Sequence, residues 1–402
     1  MDRRTAAVYE AQAHEWIAQR RPKAVEDGRF EAFVRRVRRG GRVADLGCGP
    51  GWYAAELSTR GFTAVALDVA MAMLAYVPQR AAAVARVRGD LAALPFAGES
   101  LDGVWAANCY LHVPSADLAL ALAHLHAALR PGAPVALSLA NLAQLRPTPN
   151  ELKRGDAQRR SRKGELLGRL FTGVTAECAL ALLEGAGFDR ITVEPLDDSF
   201  WLWIGARRAR TLPDLVRPRL RLLVCGLNPS LYSADAGIPF ARPGNRFWAA
   251  ARAAGLVVAE REPLDALRCG IGMTDLVKRA TAAAAHLRPT EYAAGLCRVE
   301  RVVRRYRPGA TCFVGLDGWR AAVDRRATPG WIAGGFGGCP AYLMPSTSGR
   351  NARVPLAELA THLRTAAGLD GAGTVGVHQK RPSRRRQKRA APQGERKGRL
   401  RF

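Results

Sequence analysis

The chain has 402 residues, of which 48% are apolar, so it can fill two or three domain cores and is neither a small disulfide scaffold nor wholly disordered. Its 61 Lys and Arg residues outnumber 35 Asp and Glu residues, and the formal charge of +26 makes nucleic acid the first partner to consider. No run of about 18 uncharged apolar residues occurs, and the N-terminal segment lacks an apolar signal core. We therefore expect no membrane partner and a soluble, cytoplasmic protein, associated with the nucleoid if the cell is prokaryotic.

The eight cysteines are scattered along the chain and form no CxxC pair. This pattern favours reduced, mostly buried thiols over a disulfide framework, a zinc site or an iron–sulfur cluster. We therefore expect no bound metal.

An apolar strand is predicted at residues 42–46, and a glycine-rich turn and a helix follow it. Asp45 lies at the end of the strand, and Gly47, Gly49 and Gly51 form the turn. Glycines at this place let a ligand approach the backbone closely, and the N-terminus of the helix supports a polar or anionic group.

Two acidic residues end the next two predicted strands. Asp68 lies about 20 residues past the glycines, where a carboxylate can bind a ribose diol in doubly wound folds, and Asp90 ends the third strand. A fourth strand is predicted at 101–107. The glycine turn and the two strand-end carboxylates together predict a cleft for a nucleotide-type cofactor.

Residues 8–207 resemble the class I S-adenosylmethionine-dependent methyltransferases, through DLGCGPG at 45–51, the acid at Asp68, the Asp90 motif followed by ALPF, and LRPGAPVALSL at 129–139. The resemblance implies S-adenosyl-L-methionine as the cofactor. It also implies that Asp45, Gly47, Gly49 and Gly51 line the methionine end of the cofactor, that Asp68 holds the ribose hydroxyls, and that Asp90 with Leu91 frames the adenine.

The loop after the fourth strand bears on the methyl acceptor. It reads Asn108, Cys109, Tyr110, Leu111, His112, without the prolines typical of enzymes that methylate exocyclic base amines and without a Pro-Cys pair for cytosine C5 methylation. The sequence therefore does not predict a DNA methyltransferase. His112 is a candidate base or acceptor contact, although a His beside an apolar strand end is more often structural. The acceptor stays open.

The second half of the chain starts with an apolar strand that leads into Asn228, which is flanked by Gly226 and Pro229. Downstream are Phe240 on a loop, a helix predicted near Asn245, and a Ser/Gly turn that carries Arg350. A strand-end Asn, a loop aromatic and an Arg on a turn are suited to extruding a base from a duplex. Composition alone does not distinguish such a site from an ordinary nucleotide pocket.

Residues 212–366 resemble the mismatch-specific uracil-DNA and thymine-DNA glycosylases, through GLNPS, PGNRFW, GIGMTDLVKR and MPSTSGRNA in the expected order. The resemblance implies that Asn228 positions the attacking water, that Phe240 stacks on the flipped pyrimidine, and that Asn245 helps to form its pocket. By the same resemblance, Thr274 lies near the water or the sugar, Ser346 contacts the phosphate or the pocket floor, and Gly349, Arg350 and Asn351 fill the vacated stack.

Two residue choices predict the kind of glycosylase. Asn228 stands where the fast uracil-specific branch has an acid, and no His follows Pro345, so we expect a slow enzyme that favours easily opened mispairs. Since no Lys stands at the position of Asn228, a Schiff base is not indicated, and we expect a monofunctional enzyme without a cofactor.

The predicted organisation is a methyltransferase-like domain at 1–208, a glycosylase domain at 212–368 and a disordered basic tail at 369–402. Both domains are predicted as three-layer α/β/α folds, the first Rossmann-like and the second with a central parallel sheet. Residues 380–402 hold 11 basic residues against one acid, which suits a non-specific phosphate-binding arm. Pro213 and Pro218 predict a short, stiff joint between the domains.

The expected function is release of uracil, with thymine as a further candidate, from mispairs with guanine in double-stranded DNA, by a chain that also methylates an unknown acceptor. In one alternative, the chain is mainly a methyltransferase of a small molecule, RNA or protein, and the glycosylase domain serves as a DNA-binding module. In another, the chain binds DNA lesions without turnover.

Overall fold

The computed structural model describes residues 1–19, 28–162, 167–195, 200–351 and 353–369. Residues Met1–Leu369 form one compact unit. The predicted basic tail lies outside the described residues, apart from Leu369. None of the helices in the described ranges combines the length and the apolar character needed to cross a membrane.

Nine strands form the first sheet: β1 (Arg42–Leu46), β2 (Thr63–Asp68), β3 (Ala85–Arg88), β4 (Gly103–Ala106), β5 (Pro134–Asn141), β6 (Asp156–Arg160), β7 (Leu170–Val174), β8 (Phe188–Pro195) and β9 (Trp201–Arg208). The order begins β3-β2-β1-β4-β5, and these five strands are parallel. The chain order reverses between β1 and β4, which is where ligands bind in doubly wound sheets. The antiparallel strand β9 pairs with β5 on its far side.

Helices around the first sheet are α1 (Arg3–Ala11), α2 (Ala13–Gln19), α3 (Gly28–Val34), α4 (Trp52–Thr59), α5 (Met71–Leu74), α6 (Val77–Arg80), α7 (Leu118–Ala128), α8 (Pro149–Arg154) and α9 (Ala176–Gly185). Side chains alternate along each strand, so Val43 packs with Phe30 of α3 on one face of the sheet, while Ala44 packs in the core of α7 and α9 on the other. The predicted three-layer fold of the first half is confirmed. We call this part of the molecule the first lobe.

The second sheet has five strands in the order β11-β10-β12-β14-β13: β10 (Leu222–Gly226), β11 (Ile271–Asp275), β12 (Ala310–Val314), β13 (Gly330–Trp331) and β14 (Ala341–Met344). All but β13 are parallel. Its helices are α10 (Leu231–Ala236), α11 (Phe247–Ala253), α12 (Pro263–Arg268), α13 (Pro289–Tyr306), α14 (Asp317–Ala322) and α15 (Leu356–Ala366). Val224 packs with residues of α11 and α15, and Leu223 with residues of α13, so this second lobe is also three-layered.

The segment between β9 and β10 touches both lobes. The backbone N–H of Asp214 donates to the carbonyl of Gly185 in α9 at 2.7 Å, and Leu215 pairs with Met273 of β11. A Cβ at position 185 would lie 2.8 Å from Oδ2 of Asp214, so a glycine is needed for α9 to come this close. The predicted boundary near 208–212 falls in this segment, and the domain limits themselves remain predictions.

Asp214 is the centre of a buried polar network at this joint. Its carboxylate accepts hydrogen bonds from Arg298 at 2.6 Å, Thr274 at 2.7 Å and Lys278 at 3.0 Å. Burial would raise the pKa of Asp214, but the charges of Arg298 and Lys278 outweigh that effect and hold the pKa below its ordinary value. The network therefore keeps the buried Arg298 and the half-buried Lys278 next to one ionised carboxylate.

We expect Asp214→Asn to lower the free energy of unfolding by about 3–5 kcal/mol, because the buried Arg298 and the half-buried Lys278 then lose their counter-charge. Urea denaturation followed by circular dichroism measures the change. The matched control is Asp235→Asn, which removes the exposed partner of Arg210 and should leave the stability almost unchanged. Equal losses for the two variants would contradict a central role of Asp214.

Candidate functional site

The glycine turn after β1 has the predicted backbone. Gly47, Gly49 and Gly51 have φ values of 61°, 54° and 84°, in the left-handed region that favours glycine. A Cβ at position 47 would lie 2.3 Å from Cβ of Cys109, and one at position 51 would lie 2.9 Å from a methyl carbon of Val77. The turn is therefore restricted to glycine at these two positions by conformation and by space.

Two carboxylates border the turn, and backbone N–H groups hold both of them. Oδ2 of Asp68 accepts from the N–H of Gly49 and Oδ1 from the N–H of Ala70, each at 2.9 Å. Oδ2 of Asp45 accepts from the N–H of Ala54 in the first turn of α4 at 3.0 Å. Because each oxygen has two lone pairs, a ligand hydroxyl can still donate to Asp68.

These two carboxyl groups lie in a poorly solvated site, which disfavours their ionised forms. Burial raises the pKa of Asp45 well above its usual range, with a further increase from the charge of Asp68, and burial also raises the pKa of Asp68. No cation in the described ranges forms an ion pair with either group. A ligand that brings a positive charge would offset the electrostatic penalty of ionising them.

Asp90 and Leu91 lie at the end of β3. Oδ1 of Asp90 accepts hydrogen bonds from the N–H of Ala92 at 2.9 Å and from the amino group of Met1 at 2.5 Å. The side chain of Leu91 is 3% exposed and packs in the core. Asp90 is thus at the sheet edge shared with Asp45 and Asp68, as expected, while Leu91 is part of the hydrophobic interior.

The N-terminal helices lie next to the same edge of the first sheet. Trp16 of α2 stacks on Trp52 with ring centroids 5.6 Å apart, and its ring lies 3.8 Å from where a Cβ on Gly49 would be. The hydroxyl of Tyr9 in α1 lies 3.0 Å from Nε2 of His112. The turn is therefore flanked by residues that its own motif does not include.

His112 is buried and fixed at both ring nitrogens. Nδ1 lies 2.6 Å from the carbonyl oxygen of Leu170, which can only accept, so Nδ1 carries the proton and Nε2 accepts from Tyr9. Burial lowers the pKa of His112 to about 4, which leaves the imidazole neutral at pH 7. This geometry is compatible with a structural role of His112 and with a role as a base.

The neighbouring loop residues differ in accessibility, since Asn108 is exposed. The side chain of Asn108 accepts from the hydroxyl of Ser138 at 3.1 Å, and Cys109 and Tyr110 are buried.

In the second lobe, the side-chain amide of Asn228 has a fixed orientation. Its Nδ2 donates to Oγ1 of Thr281 at 2.8 Å, to the carbonyl of Arg279 at 3.0 Å and to the carbonyl of Pro229 at 3.1 Å. With the amide nitrogen held by these three acceptors, Oδ1 points away from them. The amide can therefore present an acceptor oxygen from a rigid turn after β10.

Phe240 lies over Gly226, the last residue of β10. Its ring stacks on the buried ring of Phe247 with centroids 4.2 Å apart, and its backbone has φ of 57°, which is rare for a bulky residue. A Cβ at position 226 would lie 3.3 Å from the ring of Phe240. The glycine therefore lets the half-buried ring lie close to the end of the sheet.

The Ser/Gly turn after β14 packs against the loop that precedes α11. Oδ1 of Asn245 accepts from the hydroxyl of Thr347 at 3.0 Å, and a Cβ on Gly349 would lie 2.8 Å from the carbonyl oxygen of Gly244. Asn351 donates from Nδ2 to the carbonyl of Ser346 at 3.0 Å. Arg350 is exposed at the tip of the turn. The structure thus brings Asn245, Ser346, Gly349 and Asn351 together, with Arg350 projecting from them.

The structure places Thr274 differently from the expectation. Its side chain is 4% exposed, its hydroxyl donates to Asp214, and it accepts from Nη2 of Arg298 at 2.9 Å. Successive side chains of a strand point to opposite faces, and Thr274 takes the face that belongs to the joint network. The structure thus places the hydroxyl of Thr274 in the joint network, and its role near the water or the sugar stays a prediction.

The next residue, Asp275, takes the opposite face and lies at the pocket. A Cβ on Gly226 would lie 2.5 Å from Oδ1 of Asp275, on the side where Phe240 also lies. Burial raises the pKa of Asp275 to about 6. Sequence reasoning missed this residue, although it is the last residue of a strand parallel to β10, and strand alternation separates it from Thr274.

Among the residues that the structure describes, no group of three or more His, Cys, Asp and Glu side chains is arranged to hold a metal ion.

Comparison with known families identifies both lobes. A methyltransferase domain model matches residues 43–132, and a model of the uracil DNA glycosylase superfamily matches residues 213–364. The chain therefore contains a methyltransferase domain followed by a domain of the uracil DNA glycosylase superfamily, as the motifs predicted.

Solved methyltransferase structures are also similar to this chain, at low identity. The 1,6-didemethyltoxoflavin-N1-methyltransferase of Burkholderia thailandensis is 18% identical, with 51% of this chain and 88% of that chain covered and a TM-score of 0.41. An S-adenosylmethionine-dependent methyltransferase of Mesorhizobium loti is 23% identical, with 46% and 99% covered and a TM-score of 0.37. Phosphoethanolamine N-methyltransferase 2 of Haemonchus contortus is 15% identical, with 52% and 60% covered and a TM-score of 0.40.

We expect Asp275→Asn to stabilise the protein at pH 8 and to have little effect near pH 4. The ordinary Asp pKa of 3.8 rises to about 6 in the folded state, so the stability contribution of Asp275 is greatest below pH 3.8, falls as the pH rises to 6, and stays low above it. The neutral amide avoids this loss, so the free energy of unfolding of the variant should exceed that of the wild type by roughly 3 kcal/mol at pH 8. Thermal denaturation across this pH range measures it.

The control for this prediction is Asp235→Asn, because the hydrogen bond from Arg210 lowers the pKa of Asp235. That variant should show no gain at pH 8. A pH-independent effect of Asp275→Asn would refute the raised pKa.

Proposed function

We propose that the second lobe hydrolyses the N-glycosidic bond of uracil mispaired with guanine in double-stranded DNA, and that thymine in the same mispair is a further candidate substrate. The observation that carries this proposal is the orientation of Asn228, whose Nδ2 is held by three acceptors. Its Oδ1 is then available to accept from a water molecule and to direct the water oxygen at C1′ of the sugar.

Residues around Asn228 support the recognition of a flipped base. The half-buried ring of Phe240 offers a stacking surface, and the turn that carries Ser346, Gly349, Arg350 and Asn351 is braced against Asn245. The exposed guanidinium of Arg350 is suited to fill the gap that the flipped base leaves in the stack. In this proposal, Asp275 forms part of the pocket wall.

The bond breaks with its electron pair going to the base, and a water molecule supplies the hydroxyl of the abasic sugar. The amide of Asn228 orients this water and cannot take its proton, so the reaction depends on an easily opened mispair. With no lysine amine at this position, the proposed enzyme is monofunctional and works without a cofactor.

We propose that the first lobe binds S-adenosyl-L-methionine, which supplies an electrophilic methyl group when bound. The donor set fits this molecule, since Asp68 can accept from a ribose diol and a ligand ammonium group would stabilise the ionised forms of Asp45 and Asp68, whose pKa values burial raises. Gly47, Gly49 and Gly51 would lie along its methionine end, and Asp90 with the backbone of Leu91 along its adenine.

Base release tests the glycosylase. With enzyme in excess over end-labelled duplexes that contain U:G, T:G, U:A or unpaired U, followed by alkali, we expect the fastest release from U:G. Asn228→Ala should slow it about 100-fold or more, as loss of a positioning group in an active site does. Asn150→Ala, an exposed amide on α8, is the matched control and should behave as the wild type.

The other outcomes of this assay discriminate the alternatives. No release from any duplex, with intact U:G binding, would leave the second lobe as a DNA-binding module and the methyltransferase as the chemistry of the chain. A covalent complex trapped by borohydride would contradict the monofunctional mechanism.

Binding of S-adenosylhomocysteine tests the cofactor site. Its ammonium group should stabilise the ionised forms of the buried carboxyls, which then release protons to the solvent. We expect proton release on binding, and affinity that falls on acidification, since the pKa values of Asp45 and Asp68 are raised before binding and the ligand lowers them. Calorimetry in two buffers with different ionisation enthalpies measures the released protons. Asp45→Asn should reduce this release, and the exposed Asp117→Asn should not. Equal enthalpies in the two buffers would overturn this electrostatic account.

A further inference from the structure

Arg169, just before β7, is a buried cation with no counter-charge among the residues that the structure describes. Its side chain is 1% exposed, and Nε has no hydrogen-bond partner. Within the residues that the structure describes, no carboxylate forms an ion pair with it. Its guanidinium carbon lies 4.2 Å from the centroid of the Tyr9 ring, which is the stabilising contact it has.

The contact with the Tyr9 ring does not offset the cost of burying the charge of Arg169. Burying an unpaired charge costs several kcal/mol, and a desolvated cation–π contact returns about 2 kcal/mol. The nearby carboxylate of Asp2 does not fill this need, since it pairs with Arg160 at 2.9 Å. A bound anion would supply the counter-charge that Arg169 lacks among the described residues.

The position of Arg169 relates it to the methyl acceptor. Tyr9, whose ring it contacts, hydrogen-bonds to His112 of the loop after β4, and the ring of Phe171 lies 5.1 Å from His112. The glycine turn lies farther along the N-terminal helices, next to Trp16, whose ring centroid is 6.3 Å from that of Tyr9. Arg169 therefore lies near the loop that carries His112, because the carbonyl of the next residue, Leu170, accepts from Nδ1 of His112 at 2.6 Å, and Gly47 of the glycine turn packs against Cys109 of the same loop.

Burial restricts the kind of anion. The helix α1 covers Arg169, and Thr5 of this helix accepts through Oγ1 from the N–H of Leu170 at 2.8 Å. A nucleic acid or protein backbone cannot contact a guanidinium that is covered in this way, whereas a small molecule needs only a local shift of α1. The geometry thus favours a small ligand over a macromolecular one.

We propose that the methyl acceptor of the first lobe is a small molecule with a carboxylate or phosphate group, and that Arg169 is the counter-ion of that group. This inference rests on the proposed methyltransferase function. The hydroxyl of Tyr9, which lies 3.0 Å from Nε2 of the neutral imidazole of His112, connects the ring over Arg169 with this loop.

The experiment uses the full chain saturated with S-adenosylhomocysteine and two matched pairs of probes, benzoate against benzamide and phenyl phosphate against phenol. Calorimetry should give an affinity at least about 10-fold higher for one or both anions than for the neutral partner, as a buried charge-assisted bond predicts. Arg169→Gln should abolish this preference. The matched control Arg4→Gln, an exposed arginine of α1, should retain it. Equal binding of anions and neutral molecules by the wild type would overturn the proposal.

The same titrations separate two sources of the anion. If Arg169 instead holds the carboxylate of the cofactor, Arg169→Gln weakens S-adenosylhomocysteine about 10-fold or more and leaves the probe preference unchanged, which refutes the acceptor role. If the wild type does not bind S-adenosylhomocysteine at all, it is the proposed methyltransferase function that fails.

A stability measurement covers the case in which Arg169→Gln does not fold. Arg169→Met removes the unpaired charge and keeps an apolar stem, so we expect an unchanged or higher Tm without ligand. A purely structural cation–π role predicts a lower Tm for this variant and would count against the proposal. Arg169→Lys keeps the charge and should keep part of the preference for anions.

Discussion

The ion pairs of Asp214 are the interaction on which the arrangement of the two lobes depends. The carboxylate binds Arg298 of α13, Lys278 after β11 and Thr274 of β11, while its backbone N–H holds the end of α9 in the first lobe. Arg298 is buried and Lys278 is half-buried, and both form their ion pair with this carboxylate. Because the loop that follows β11 carries the acceptors that orient Asn228, the same network helps to position the candidate catalytic amide.

In both sites, a glycine at the carboxyl end of a parallel strand leaves room for other side chains to approach the strand end. Gly47 lets Cys109 approach the end of β1, and Gly226 lets Asp275 and Phe240 approach the end of β10. A side chain at either position would occupy the space next to the strand end, where ligands bind in open α/β sheets. The two lobes therefore share a way of building a pocket although they share no motif.

Two regions of the first lobe carry ionisable groups of opposite sign, namely the carboxyls of Asp45 and Asp68 and the guanidinium of Arg169. Among the described residues, no cation forms an ion pair with Asp45 or Asp68, and no carboxylate forms one with Arg169. A positively charged cofactor and a negatively charged acceptor would complete these regions separately. The formal net charge of +26 is a third feature that acts over a longer range, and it attracts polyanions without selecting among them.

The sequence by itself determined the two α/β folds, the order of the domains, and the residues whose role follows from local backbone geometry. Gly47, Gly49 and Gly51 could be predicted because a strand-to-helix turn needs positive φ, and Asn228 because it directly follows a buried strand. Thr274 could not be placed, since only the alternation of β11 against β10 decides which of two neighbouring side chains faces the pocket. Asp275 and Arg169 were missed for a related reason. Their chemistry comes from burial and from which charges lie nearby, and burial and neighbours far apart in the chain are decided by the tertiary structure alone.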